Sequence, residues 1–100
     1  MTAYNVVRFR VKPGLEDAFI ASQRQSLQAP MPGALDMAMI KTGDRAYCLI
    51  GKWDRFDSIV AARPAMISIL DAIRPMLEDL GNGLGLTDPV SGETLFERTA

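Results

Sequence analysis

Asn5, Val7, Phe9 and Val11 alternate with Tyr4, Val6, Arg8 and Arg10. A period of two puts the sets on opposite faces of a β-strand over residues 4–11, one face mostly apolar and the other bearing two arginines. Pro13-Gly14 punctuates its end. The period then changes. From Leu15 to Ala29, Leu15, Ala18, Phe19, Ser22 and Ser26 share a helical stripe, with Glu16 and Asp17 in the first turn, where the helix dipole favours carboxylates. The two serines mark close packing or a polar wall to a cavity. Pro30-Met31-Pro32-Gly33 stops this helix. A second strand is predicted over Ala34 to Lys41, with Leu35, Met37 and Met39 opposite Asp36, Ala38 and Ile40, and Thr42 to Arg45 reads as a hairpin turn. The third strand, Ala46 to Trp53, is a continuous apolar run, which predicts burial on both faces. Tyr47, Leu49, Gly51 and Trp53 share one side, where Gly51 leaves room beside Trp53 for a side chain or a ligand.

Beyond Trp53, helical periodicity runs from about Arg55 to Leu80. Asp54 is the expected N-cap, supported by Asp57. Pro64 predicts a short helix to about Ala62 and a longer one from Pro64 or Ala65. The longer one carries the stripe Met66, Ile69, Leu70, Ile73, Leu77 and Leu80, loosens at Pro75 and is capped by Gly81. Gly81-Asn82-Gly83-Leu84-Gly85 has the composition of a phosphate loop but follows a helix instead of opening one, so it reads as a connection. Thr87-Asp88-Pro89 and Ser91-Gly92 are turn formers, leaving Glu93 to Arg98 as the last strand. The order βαββαβ is the ferredoxin-like α+β plan, a four-stranded antiparallel sheet with both helices on one face. Covering the other, mixed face by a second copy of the chain predicts a homodimer.

One hundred residues, 48% apolar and 23% charged, are expected to form a single domain, residues 1–100. Eleven basic and twelve acidic residues leave no basic stripe, which argues against nucleic acid or an anionic membrane as partner. The chain shows no leader-like N-terminus and no apolar run approaching the ~20 residues of a membrane span; a cytoplasmic protein is expected. Its single cysteine, Cys48, cannot form an intrachain disulfide and reads as a small buried hydrophobe. The absence of histidine excludes Ser-His-Asp and Cys-His relays, an imidazole base and histidine-held metal or haem. No metal site and no cofactor are expected.

The run Val6 to Gly14 opening into a helix with Glu16, Pro32-Gly33 before strand two, Gly51-Lys52-Trp53-Asp54, and the closing Leu86 to Gly92 together resemble the antibiotic biosynthesis monooxygenase superfamily, over most of the chain. The resemblance implies two ferredoxin-like protomers sharing a dimeric α/β-barrel, each with a pocket between sheet and helices. Some members of that superfamily oxidise quinol-like or polycyclic aromatic substrates without metal or flavin, others degrade haem, and many have no assigned activity. Trp53 matches the pocket-lining tryptophan of both enzyme types. Asn5 lies two residues from the strand-one asparagine of haem-degrading members, whose histidine iron ligand has no counterpart here. Haem degradation is therefore not expected. Leu49 and Gly51 stand where the quinol-oxidising type often carries a polar residue. The expected ligand is a small aromatic, clamped by Trp53 and Phe9 and met by a hydrogen bond or positive charge from Asn5, Tyr47 or Arg63. The other readings are a non-catalytic binding dimer with methionine-rich walls and a structural module whose pocket is filled by its own side chains.

Overall fold

A computed structural model describes residues 1–98. Its elements are β1 (Ala3–Arg10), α1 (Glu16–Ser26), β2 (Ala34–Gly43), β3 (Ala46–Trp53), α2 (Phe56–Ile73), a 3-10 turn (Arg74–Met76) and β4 (Asp88–Glu93). The strands form one antiparallel sheet in the order β2-β3-β1-β4. With its two helices this is the ferredoxin-like α+β fold. No helix among the described residues is long and apolar enough to cross a membrane.

Strand alternation sorts the sheet into rows that run across all four strands. Val6 pairs with Ile50 and Val90, and Ile50 with Ala38, giving an apolar row on the outer face. On the helix side, Met37, Gly51, Asn5 and Ser91 form one row, and Met39, Leu49, Val7 and Pro89 the next. A register shift between Ala34 and Asp36 corrects the expected alternation of strand two. The extra residue returns Ala34 to the inner face and turns Leu35 out, 53% exposed.

The helices depart from the sequence pattern in instructive ways. α2 is continuous through Pro64. Pro64 and Val60 are both exposed, so the Val60 carbonyl that lacks an amide partner faces water and no break is required. The cap is also not Asp54: Arg55 holds the N-cap position without a side-chain bond, while the Asp54 carboxylate accepts from the Ser58 hydroxyl at 2.6 Å. Gly33, at φ +87°, lies against this corner, and its carbonyl accepts from the Asp54 amide at 2.8 Å.

At the other end the helix stops at Ile73 instead of continuing to Leu80, because Pro75 opens a 3-10 turn and Leu77 swings into extended backbone. Leu77 then bridges Val11. The Glu78 amide bonds the Arg10 carbonyl at 2.8 Å, and Arg45 clamps the Val11 carbonyl and Glu78 at 3.0 and 2.6 Å. Gly81 is therefore a turn residue, not a helix cap.

The last strand is Asp88–Glu93, not residues 93–98. Its turn-forming residues are poor strand formers, but β4 is an edge, where a proline such as Pro89 needs to give up no ladder bond. Residues 94–98 return across the outer face. There Glu97 accepts hydrogen bonds from the Thr2 and Tyr4 hydroxyls and pairs with Lys52 at 3.0 Å.

Among the described residues, two clusters make up the core. One joins Phe9, Val11, Phe19, Tyr47, Ile73 and Leu77; the other joins Ala3, Trp53, Ile59 and Ala62. Both lie between the sheet and the helices.

Candidate functional site: an amide-headed apolar cavity

A cavity of about 390 Å³ lies where the two clusters meet, bordered by Phe9 and Ile73 of the first and Ile59 of the second. Its size falls within the range of small-molecule sites. The floor is made by the two inner rows of the sheet: Asn5, Met37 and Ser91, then Val7, Leu49 and Pro89. The roof is α2, through Arg63, Met66 and Leu70, with α1 contributing Gln23. Met31, Met37 and Met66 give the wall polarizable, adaptable surface.

One hydrogen bond sets the polarity of the floor. The Trp53 indole N–H donates to Asn5 Oδ1 at 2.7 Å, and both residues are buried. An indole nitrogen can only donate, so the carbonyl end of the Asn5 amide is committed to it. The Asn5 Nδ2 group turns away and, among the described residues, finds only the Met66 sulfur, at 3.8 Å, a weak acceptor. Gly51 makes this arrangement possible. It is the cross-strand partner of Asn5. A Cβ there would collide with the Asn5 amide oxygen and lie 2.8 Å from Met37 Sδ and 2.9 Å from Trp53 Nε1. The space beside Trp53 is thus taken by a neighbouring side chain.

The five residues singled out from the sequence occupy three different situations. Asn5, Phe9 and Arg63 line the cavity. Trp53 does not: with no exposed surface, it lies behind Asn5 and orients it, instead of forming one jaw of an aromatic clamp. Tyr47 belongs to the other cluster, packed against Phe19 with ring centroids 5.1 Å apart and the planes tilted by 40°. Its hydroxyl donates to Glu16, which also pairs with Lys41 at 3.1 Å. The Glu16 hydrogen bond, and then burial, raise the Tyr47 pKa, while that bond and Lys41 lower the Glu16 carboxyl. The phenol is therefore engaged away from the cavity.

Gln23 is the residue the sequence pattern passed over. It is 3% exposed, lines the cavity, and its Nε2 has no hydrogen-bond partner among the described residues. Leaving a buried amide donor unpaired costs about 1–3 kcal/mol. The signal was present: Phe19, Gln23 and Leu27 repeat every four residues, so an amide stands in the middle of the true inner stripe, while Ala18 is exposed.

The cavity is therefore rich in donors and poor in bases. Asn5 and Gln23 offer N–H groups, and Arg63, which makes no ion pair among the described residues, brings positive charge to an otherwise exposed position on the roof. No carboxylate lines it. Among the described residues, no group of three or more His, Cys, Asp or Glu is placed to hold a metal ion.

Neither a family model nor a curated protein matches this chain. Solved structures do. A Chloroflexus aurantiacus protein assigned provisionally as an antibiotic biosynthesis monooxygenase superposes with a TM-score of 0.70 at 22% identity, covering 99% of this chain and 98% of its own. SnoaB, a cofactor-independent oxygenase from Streptomyces nogalater, superposes in a mutant form with a TM-score of 0.75 at 17% identity, covering 96% and 95%. Rv0793 from Mycobacterium tuberculosis reaches 0.79 at 12% identity, covering 99% and 100%. The fold is shared with these proteins over essentially the whole chain.

Proposed function

We propose that this protein is a monooxygenase of the antibiotic biosynthesis type, acting without metal or flavin on a quinol-like or polycyclic aromatic substrate. The observation that carries the reading is the amide-headed cavity. It is apolar, large enough for a fused ring system, and lined by two buried amides, Asn5 and Gln23, whose N–H groups lack a strong acceptor among the described residues. The shared fold with a cofactor-independent oxygenase supports the same reading as an analogy.

The chemistry follows from the substrate. An electron-rich phenolate carries its own reducing power. Ionisation of the hydroxyl releases a proton to water at the cavity mouth, because no lining residue is a base. Amide donors and the Arg63 charge stabilise the resulting oxyanion. Electron transfer from the anion to dioxygen and recombination form a ring C–O bond as a hydroperoxide. Loss of the ring proton and cleavage of the O–O bond leave a carbonyl and release water. The substrate supplies four electrons, one oxygen atom enters the ring and the other becomes water. Apolar walls keep bulk water from the intermediate and hold the ring.

The outer apolar row Ala38, Ile50, Val6 and Val90, with Val90 61% exposed, supports a homodimer formed through this face. The exposed Leu95 and Phe96 would add to it. Sedimentation velocity tests this: a dimer is expected, and Val90→Glu should split it.

Oxygen uptake with a panel of hydroquinones and hydroxylated polycyclic aromatics tests the catalytic reading. One O2 consumed per carbonyl formed, with no cofactor added, is expected, falling about 10²–10³-fold in Asn5→Ala, as for loss of one oxyanion donor. The lack of a lining base favours a second reading, a non-catalytic binding protein. Measurable affinity with no oxygen uptake across the panel would establish that one instead.

A further inference from the structure

We infer that Gln23 and Asn5 act as paired amide donors that select the oxygen substituents of the ligand, so that the cavity takes flat apolar molecules bearing a carbonyl or an ionised hydroxyl and discriminates against the corresponding hydrocarbons. This rests on reading the cavity as a ligand site, but not on turnover.

The argument is one of unmatched hydrogen-bonding capacity. Asn5 Oδ1 is consumed by the Trp53 indole at 2.7 Å, which fixes the Asn5 amide with its N–H groups away from Trp53. Their protein acceptor is a thioether sulfur at 3.8 Å. Gln23, on the opposite layer, lines the same cavity with Nε2 unpaired in a site that is 3% exposed. Two amides from two layers therefore lack strong acceptors among the described residues, and the Ser91 and Thr87 hydroxyls that also line the cavity bond to neither. A ligand completes the site by bringing acceptors. A ketone or phenolate oxygen does so; a methylene does not. An amide whose role was packing alone would be replaceable at no loss by leucine, which has a similar size and no donor to strand.

Fluorenone and fluorene separate these roles. They share ring shape and differ in a carbonyl against a methylene, and neither reacts readily with a thiol such as Cys48. Calorimetric titration of the wild-type protein should show fluorenone binding about tenfold or more tighter than fluorene, the discrimination expected of a ligand acceptor that satisfies a buried donor. Gln23→Leu should lose most of that preference, and its ligand-free thermal midpoint should rise as the unpaired buried donor is removed. The infrared carbonyl stretch of bound fluorenone should lie lower in the wild type than in Gln23→Leu, a shift that a packing role would not produce. Gln23→Met provides a second isosteric variant, and the wild-type stretch stands without either.

Equal binding of the two probes by the wild type, or an unchanged preference and stretch in Gln23→Leu, overturns the donor assignment and leaves the cavity reading intact. Binding of neither probe overturns both.

Discussion

The two core clusters make opposite use of an aromatic side chain with a polar handle. In the Phe9–Phe19–Tyr47 cluster the rings pack on one another at 5.6 and 5.1 Å, and the tyrosine hydroxyl leaves the core to meet Glu16. In the Trp53 cluster the polar handle stays inside and meets Asn5. The first arrangement needs no buried polar partner and closes its end of the molecule. The second buries an amide, and that amide has donors left over for the neighbouring space. The difference teaches where a ligand site arises in a small fold: beside the end whose hydrogen bond cannot be completed by the protein alone.

Large truncations should separate stability from binding. Trp53→Ala and Phe19→Ala each remove a fully buried ring and should each cost about 3–5 kcal/mol in urea unfolding. Where both variants remain folded, fluorenone affinity should fall in Trp53→Ala, whose loss frees the Asn5 amide to rotate, and persist in Phe19→Ala. Equal losses of affinity would break the contrast between the two ends. Gly51→Ala should come next, at about 1–3 kcal/mol, because the added methyl must push aside Met37, Asn5 and Trp53. Gly43→Ala, whose Cβ would meet Ala46 at 3.8 Å, is the control on the hairpin side and should stay within about 0.5 kcal/mol.

Conservative changes sharpen the comparison. Trp53→Phe keeps a ring but strands Asn5 Oδ1 in the interior, at about 1–3 kcal/mol. Tyr47→Phe should disturb the core less; its readout is the Glu16 carboxyl, which should rise toward the ordinary carboxylate range in an NMR titration once the hydroxyl bond is gone.

The smallest effect concerns the C-terminal segment. Hydrogen bonding from Thr2 and then the Lys52 ammonium hold the Glu97 carboxyl down at about 2, against an ordinary 4.5. A depressed folded-state value means the tether is fully present above about 4.5 and is lost as pH falls through about 2. Amide protection factors of residues 94–98, taken against the intrinsic exchange rate at each pH, should fall over that window and stay level there in Glu97→Gln.

Much of the architecture was written in periodicity. The Asn5–Val11 alternation and the shared side of Tyr47, Leu49, Gly51 and Trp53 gave the inner face of the central strands, and the element order gave the ferredoxin-like plan. The misplaced boundaries share one cause: local chemistry was overruled by tertiary surroundings. Pro64 was tolerated because its exposed side needs no amide, Leu77 became extended because Val11, just beyond β1, offered a bridge, and Pro89 entered a strand because the edge position spared its missing N–H.

The site was only partly legible. Asn5, Phe9 and Arg63 reach the cavity, but the place of Trp53 behind Asn5 depends on register between β1 and β3, and the engagement of Tyr47 by Glu16 depends on how α1 crosses the sheet. Gln23 was masked by a stripe drawn through Ala18 and Ser22 that was rotated from the true one.

Side-chain amide spectra test the central claim most directly. In a 1H–15N experiment on the wild-type protein, saturating fluorenone should move the Asn5 Nδ2 and Gln23 Nε2 protons downfield as they acquire a carbonyl partner, with the Trp53 indole proton holding its bonded position. Bound fluorenone that leaves both amide pairs unmoved would contradict the account.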